Sequence, residues 1–217
     1  MLITRFGHAA ILVEVAGRRL LIDPGSYTSD DAFGLTGLAA IAVTHQHADH
    51  VDVERIGRLV EANPGATLLV EPETLSKLEA VGGTWTAVPA GTSTAIGDAM
   101  LTAVGGRHAV IHEDGPRVGN VGFVISARDE PTLFHPGDSY ETAPEGVDVL
   151  AVPMSAPWAK LGETIDFVRR VAPSTAFPIH DTGLSELGYG GYWRNLEQLS
   201  GVGLLERVPA DGQLEPS

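Results

Sequence analysis

Cysteine is missing from the chain altogether. This excludes disulfides and thiolate metal ligands, and it leaves the redox compartment unreadable from bridges. Positive charge is scarce, with 14 Lys and Arg against 28 Asp and Glu and a formal net charge of −14. Such a surface repels phosphate backbones and speaks against extended nucleic acid as a partner, although divalent ions held inside a site would reverse the sign locally. No apolar run approaches the length of a membrane span, and no basic-then-apolar pattern opens the chain, so a cytoplasmic protein without membrane contact is expected. Internal repeats and low-complexity tracts are also lacking. What remains is ordinary folding material: 43% hydrophobic residues and 217 positions, expected to form one domain over residues 1–217.

The densest chemistry lies in Thr44-His45-Gln46-His47-Ala48-Asp49-His50, directly behind the apolar run Leu38 to Val43. The run reads as a buried strand and Val51 to Glu61 as a helix, so the polar cluster falls on the turn leaving a sheet edge. In extended chain, positions i and i+2 share a face, so His45 and His47 can offer two imidazoles to one point. Asp49 and His50 lie where the chain turns and face a second point nearby. Three imidazoles and a carboxylate so crowded suit Zn²⁺, Mn²⁺ or Fe, with two ions sharing a pocket. Without a cation, these groups would be polar side chains with nothing to satisfy them.

Elsewhere, short apolar runs at Leu2 to Phe6, Ala10 to Val15 and Leu20 to Ile22 read as an antiparallel meander. His8 sits between the first two and is a structural histidine or at most a supporting residue. Residues 26–37 read as a loop near the pocket mouth. Thr67 to Val70, Thr132 to Phe134, Val147 to Val152 and Thr175 to Ile179 read as further strands. Helices are expected at Pro72 to Leu78 and along the stripe Leu161, Ile165, Val168 and Ala172. The order favours mixed α/β layers. His108 follows a strand through the pair Gly105-Gly106, and His112 competes with it as a ligand. Arg107 either binds a substrate anion or, as favoured here, pairs with the acids Glu113 and Asp114. Asp23-Pro24-Gly25 is a plain turn, and Gly137-Asp138-Ser139 taken alone is another. Gly188 to Trp193, with Tyr189 and Tyr192, reads equally as a mobile lid or as a turn before a helix carrying Trp193. Residues 210–217 are expected to fray.

The run His45-Gln46-His47-Ala48-Asp49-His50 resembles the HxHxDH signature of the metallo-β-lactamase superfamily. With Gly7-His8-Ala9 and Leu21-Ile22-Asp23-Pro24, the chain is most similar to a branch of small bacterial hydrolases that includes L-ascorbate-6-phosphate lactonase-like proteins. The resemblance spans roughly Ile3 to His180. It implies an α/β (α+β) fold, a four-layer αββα sandwich with a binuclear metal site along one edge. It also implies His108 rather than His112 as the third imidazole of one ion, Asp138 as the bridging carboxylate, and His180 as the final imidazole of the other ion. Asp23 would then support a ligand histidine from behind, and His135 is a second supporting candidate.

The assembled expectation is His45, His47 and His108 on one ion and Asp49, His50 and His180 on the other, with Asp138 between them. Three histidines leave a tetrahedral ion one open position, which suits catalysis. A water held between two dications, most readily Zn²⁺ with Mn²⁺ or Fe as alternatives, loses its proton near neutral pH and becomes the nucleophile. Asp49 would orient it and pass a proton to the leaving group. The expected activity is hydrolysis of a small carboxyl or phosphate ester, lactonase-like, on a small-molecule substrate. A phosphodiesterase or nuclease is the enzymatic alternative, and a non-catalytic metal- or ligand-binding protein is the other. Oligomeric state is not readable from the sequence.

Overall fold

A computed structural model describes residues 1–216. Its strands divide between two mixed sheets, each seven strands wide. The first contains β1 (Leu2–Arg5), β2 (Ile11–Val15), β3 (Arg18–Ile22), β4 (Ala40–Val43), β5 (Thr67–Val70) and β6 (Trp85–Ala87). The second contains β7 (Ser93–Ile96), β8 (Ala99–Arg107), β9 (Gly119–Ala127), β10 (Leu133–His135), β11 (Val149–Pro153), β12 (Thr175–Ile179) and β13 (Leu204–Leu205). The short β14 (Gln213–Leu214) returns to pair with β1 and completes the first sheet. Each sheet begins antiparallel and ends parallel: β3 to β6 run parallel in one, and β10 to β13 in the other.

The layering follows from which side chains alternate. Along β4, Ala40 and Ala42 point into the space between the sheets, while Ile41 and Val43 point to the outer face. Strand β11 repeats this, with Val149 and Ala151 inward and Leu150 and Val152 outward. A strand buried on both faces reads as an unbroken apolar run, as these do. The inner layer is closed by Phe123, Ile125, Phe177 and Ile179 against Ile11, Val13, Leu20 and Ile22. Burying each such side chain contributes about 1.5–3 kcal/mol, which makes this layer the main support of the fold.

Helices α1 (Asp30–Phe33), α2 (Ile56–Ala62) and α3 (Leu75–Leu78) cover the first sheet through Phe33, Ile56, Leu59 and Leu78. Helices α4 (Leu161–Val171) and α5 (Glu186–Leu199) cover the second through Ile165, Phe167, Val168, Tyr189 and Leu196. The result is an αββα sandwich. No helix among the described residues is long and apolar enough to cross a membrane.

Several local expectations are corrected. The helix read from Val51 starts at Ile56, because Asp52 Oδ1 accepts the N–H groups of Glu54 and Arg55 at 3.0 Å and holds 51–55 as a turn. The 26–37 loop contains the single-turn α1. The Gly188 to Trp193 stretch is neither lid nor turn. It lies inside α5, which Ser185 caps, with Tyr189 buried and stacked on Trp193 at 5.8 Å. The tail does not fray at 213–214, where Leu214 pairs with Ile3 and is buried; Ser217 lies outside the described residues.

Candidate metal centre

The site forms where strands end. Asp23 follows β3, Thr44 to His50 follow β4, His108 follows β8, Asp138 follows β10 and His180 follows β12. Ligand sites at the C-terminal ends of parallel strands are the rule for open α/β sheets. After Val43 the chain stays extended, because Thr44 N–H donates to Asp23 Oδ1 at 2.8 Å and Thr44 Oγ1 donates to Oδ2 at 2.6 Å. His45 and His47 therefore share a face, with ring centroids 4.7 Å apart. The N–H groups of His50 and Val51 both donate to His47 O at 3.0 Å, closing a turn that brings His50 within 4.1 Å of His45. The Asp23 turn crosses this loop so closely that a Cβ on Gly25 would sit 1.9 Å from Asp49 O.

Two donor groups result. His45, His47, His108 and Asp138 form one, and His8, Asp49, His50 and His180 the other, each with its ligand atoms within 4.8 Å of one another. Asp138 stands between them. Its Oδ2 lies 3.4 Å from His108 Nε2 and 3.3 Å from His180 Nε2, and its Oδ1 lies 3.0 Å from His50 Nε2. Asn120 fixes it, accepting Asp138 N–H at 2.9 Å while donating to Pro136 O at 3.0 Å. Gly137, at φ +60°, has no room for a Cβ, which would fall 2.3 Å from Asn120 Oδ1. From the other side, Trp158 Nε1–H donates to Asp138 Oδ2 at 2.8 Å.

The hydrogen-bond partners decide which nitrogen faces inward. His50 Nδ1 meets Asp23 Oδ2 at 2.6 Å, His108 Nδ1 meets Ala109 O at 2.6 Å, and His180 Nδ1 meets Ser155 O at 2.8 Å. His45 Nδ1 meets Thr44 Oγ1, whose own proton is committed to Asp23. Each partner can only accept, so each Nδ1 carries the proton and each Nε2 presents a lone pair to the centre. Backing of this kind is typical of metal-bound histidines. His50 Nε2, His108 Nε2, His180 Nε2 and Asp138 Oδ1 are buried and make no aligned hydrogen bond. Lone pairs facing lone pairs at about 3 Å need positive charge between them. The residues present therefore fit a pair of divalent cations.

In the metal-free fold, protons on His50 and His180 supply that positive charge. Burial, aided by the charge of His50, keeps His45 well below the usual imidazole range, and burial lowers His47 as well. Burial alone would lower His50 and His180. Instead, Asp138 and Asp23 hold His50 well above its ordinary value, and Asp138 and Asp49 push His180 up to about 9. Burial would raise Asp49 and Asp138, yet histidine contacts hold both down and ionised: His180 and His8 for Asp49, His50 and His108 for Asp138.

All seven residues expected as ligands come together in this pocket. Asp23 stands behind His50, and His135 lies deeper still, its Nε2 2.9 Å from Ala9 O. His8 sits closer in than the sequence implied: its Nε2 is 3.1 Å from Asp49 Oδ2 and its ring 3.9 Å from that of His180. Its Nδ1 is buried with no acceptor behind it, unlike the four backed histidines. His112 is exposed and faces Asp114, as expected, but Arg107 pairs with Glu73 rather than with Glu113 or Asp114. Asn120 was missed, and Trp158 was legible only within the stretch Pro153 to Trp158, which reads equally as a wall of the pocket or as ordinary packing. Neither has a spacing that marks it, because the sheet register brings Asn120 opposite the site and a turn after β11 brings Trp158.

Comparison with known proteins gives a consistent result. The family model described as "Beta-lactamase superfamily domain" matches residues 2–180. The chain is 41% identical over 201 residues to Protein Rv0786c of Mycobacterium tuberculosis, covering 92% of this chain and 93% of that protein. It is 35% identical over 150 residues to a UPF0173 metal-dependent hydrolase of Rhizobium meliloti, covering 61% of either chain. Among solved structures, the metallo-beta-lactamase fold protein YhfI of Bacillus subtilis superposes with a TM-score of 0.74 at 16% identity, covering 99% of both chains.

Proposed function

The chain belongs to the beta-lactamase superfamily, and on that premise we propose that it is a binuclear metal-dependent hydrolase of a small carboxyl or phosphate ester, lactones included. The observation that carries this reading is the set of four buried histidines whose Nδ1 is committed outward and whose Nε2 converges on Asp138. In it, His45, His47 and His108 would hold one ion, Asp49, His50 and His180 would hold the other, and Asp138 would be shared by the two sites. Two such ions, Zn²⁺ by preference, would supply Lewis acidity toward the substrate oxygen and an acidified water as nucleophile.

The chain's own groups do the rest. Asp49 is the ligand-set carboxylate most open to solvent, with 23% of its side chain exposed against 3% for Asp138. Held ionised by His180 and His8, it accepts a hydrogen bond from the attacking water, aims its lone pair at the substrate carbon or phosphorus, and relays the proton to the leaving oxygen. His8, with no acceptor behind its Nδ1, holds Asp49 in place through Nε2–H rather than completing a coordination sphere. Trp158 keeps Asp138 Oδ2 from rotating away. The net charge of −14 supports a small substrate over a polynucleotide, which needs a basic track.

The test is a screen of metal-loaded protein against γ-lactones, thioesters, p-nitrophenyl carboxylates, p-nitrophenyl phosphate and bis-p-nitrophenyl phosphate. Hydrolysis of a carboxyl ester or phosphate monoester that stops with chelator and returns with metal is the expected result. Turnover of the phosphodiester alone would shift the assignment to a phosphodiesterase. No chelator-sensitive turnover of any class would leave a metal-binding protein without this activity.

A further inference from the structure

Beside the metal centre runs a groove of about 460 Å³ that the chemistry above does not use. Its inner wall is continuous with the ligand set. Ala109 follows His108 and donates its N–H to Asp138 O at 2.8 Å, Ser139 follows Asp138, and Trp158, which lines the groove, donates its Nε1–H to Asp138 Oδ2. The Trp158 ring stands edge-on to His108 at 6.0 Å and to His180 at 6.3 Å. A substrate whose scissile bond lies over the two donor groups can direct one substituent along this groove.

The chemistry of the walls selects that substituent. Val110 and Ile111 line the groove while 55% and 52% exposed, and Pro157 and Trp158 add to its apolar side, with Ser139 and Tyr140 among the remaining lining. Two adjoining aliphatic side chains left in water beside a reactive centre lose nothing by being covered and gain about 25 cal/mol per Å² when they are. The cations of the groove are already engaged. Arg117 Nη2 sits 3.1 and 3.2 Å from the two oxygens of Glu141 and its Nε donates to His108 O at 2.7 Å, while Lys160 faces Glu163 at 3.5 Å. Two cations against two carboxylates leave no net attraction for an anionic group.

We propose that the groove between Val110–Ile111 and Pro157–Trp158 is the subsite for an uncharged aliphatic substituent of the substrate, such as the acyl chain of an ester or the alkyl arm of a lactone. This deepens the hydrolase reading and rests on it for the position of the scissile bond. The groove falls within the usual size range of small-molecule sites.

The experiment has two arms. With metal-loaded protein, kcat/KM is measured for p-nitrophenyl acetate, butyrate, hexanoate and octanoate, and binding of octan-1-ol is followed by tryptophan fluorescence. The expected result is a rise of about threefold per methylene until the groove is filled. Ile111→Asp, at an exposed position that leaves the core intact, should lower the octanoate-to-acetate ratio and octanol affinity at least tenfold. If no ester is cleaved but octanol binds and Ile111→Asp abolishes it, the subsite stands and the ester-hydrolase reading falls. A flat chain-length profile, octanol binding indifferent to Ile111→Asp, or a dimer in sedimentation that Ile111→Asp splits into monomers overturns the subsite. The last result would assign the patch to a second copy of the chain.

Discussion

The main-chain N–H of His180 donates to the carbonyl of His8 at 3.0 Å, so two residues from distant parts of the sequence enter the site as one unit. Both hold left-handed backbone conformations, φ +56° for His180 and φ +47° for His8, as does Asp23 at φ +51°. Non-glycine residues in this region cost on the order of 1–3 kcal/mol each, and they persist only where surrounding structure over-determines them. Here the two sheets do so, and these three positions carry imidazole and carboxylate groups of the site.

His8→Ala separates positioning from ligation. The variant should retain two metal equivalents by elemental analysis, because every backed histidine is untouched. Its kcat should fall about tenfold or more with KM little changed, because Asp49 loses the Nε2–H that holds it. Loss of one metal equivalent would make His8 a ligand instead.

Asp23→Asn tests the backing of His50. Asp23 is fully buried and accepts from Thr44 N–H, from Thr44 Oγ1 and from His50 Nδ1. An amide cannot satisfy all three, and its NH₂ group would face a donor. Affinity for the second metal equivalent should weaken about 10- to 100-fold. Urea unfolding of the metal-free protein should show a loss of about 2–4 kcal/mol. Unchanged metal titration would remove Asp23 from the site.

Proton linkage gives a third expectation. His180 is raised to about 9 in the metal-free fold, so its contribution to stability is complete below its unfolded value near 6.5 and is lost as pH rises through about 9. His50 acts in the same direction. Metal-free protein should therefore melt several degrees lower at pH 9.5 than at pH 7.5, a window in which His8, His45, His47 and His135, lowered by burial, stay neutral; metal-loaded protein should not, because cations replace those protons. Metal binding at pH 7 should release protons, measurable as a buffer-dependent heat in titration calorimetry.

Asp49→Asn addresses the catalytic carboxylate. The amide keeps the shape of the side chain but loses its charge, so turnover should fall by about 10²–10⁴ while most of the metal is retained. Turnover within a few-fold of the original would remove Asp49 from that role.

Much of this centre was legible because its central motif is local. Three histidines and Asp49 fall in six consecutive positions behind the apolar run that becomes β4, and extended geometry alone brings His45 and His47 together. His108 was marked only by the strand and glycine pair before it, with resemblance choosing it over His112, and resemblance alone singled out Asp138 and His180, because the sheet register that gathers them is a long-range property. For the same reason nothing in the sequence pointed to Asn120, or to the hydrogen bond from Trp158 to Asp138. The misread α5 shows the opposite limit. Four glycines and aromatics between 183 and 193 suggest a loop, yet Ser185 caps a helix whose Tyr189 and Leu196 pack on the second sheet. Tertiary packing there overrides propensity. The tail was misjudged likewise, since pairing of β14 with β1 is decided by a partner at the far end of the chain.

The most direct test of the account is a Zn²⁺ titration of chelator-stripped protein, read by calorimetry and elemental analysis. Two equivalents per chain are predicted, with His108→Ala removing one and His180→Ala the other. A single equivalent, or two that both survive these substitutions, would contradict the two-centre site.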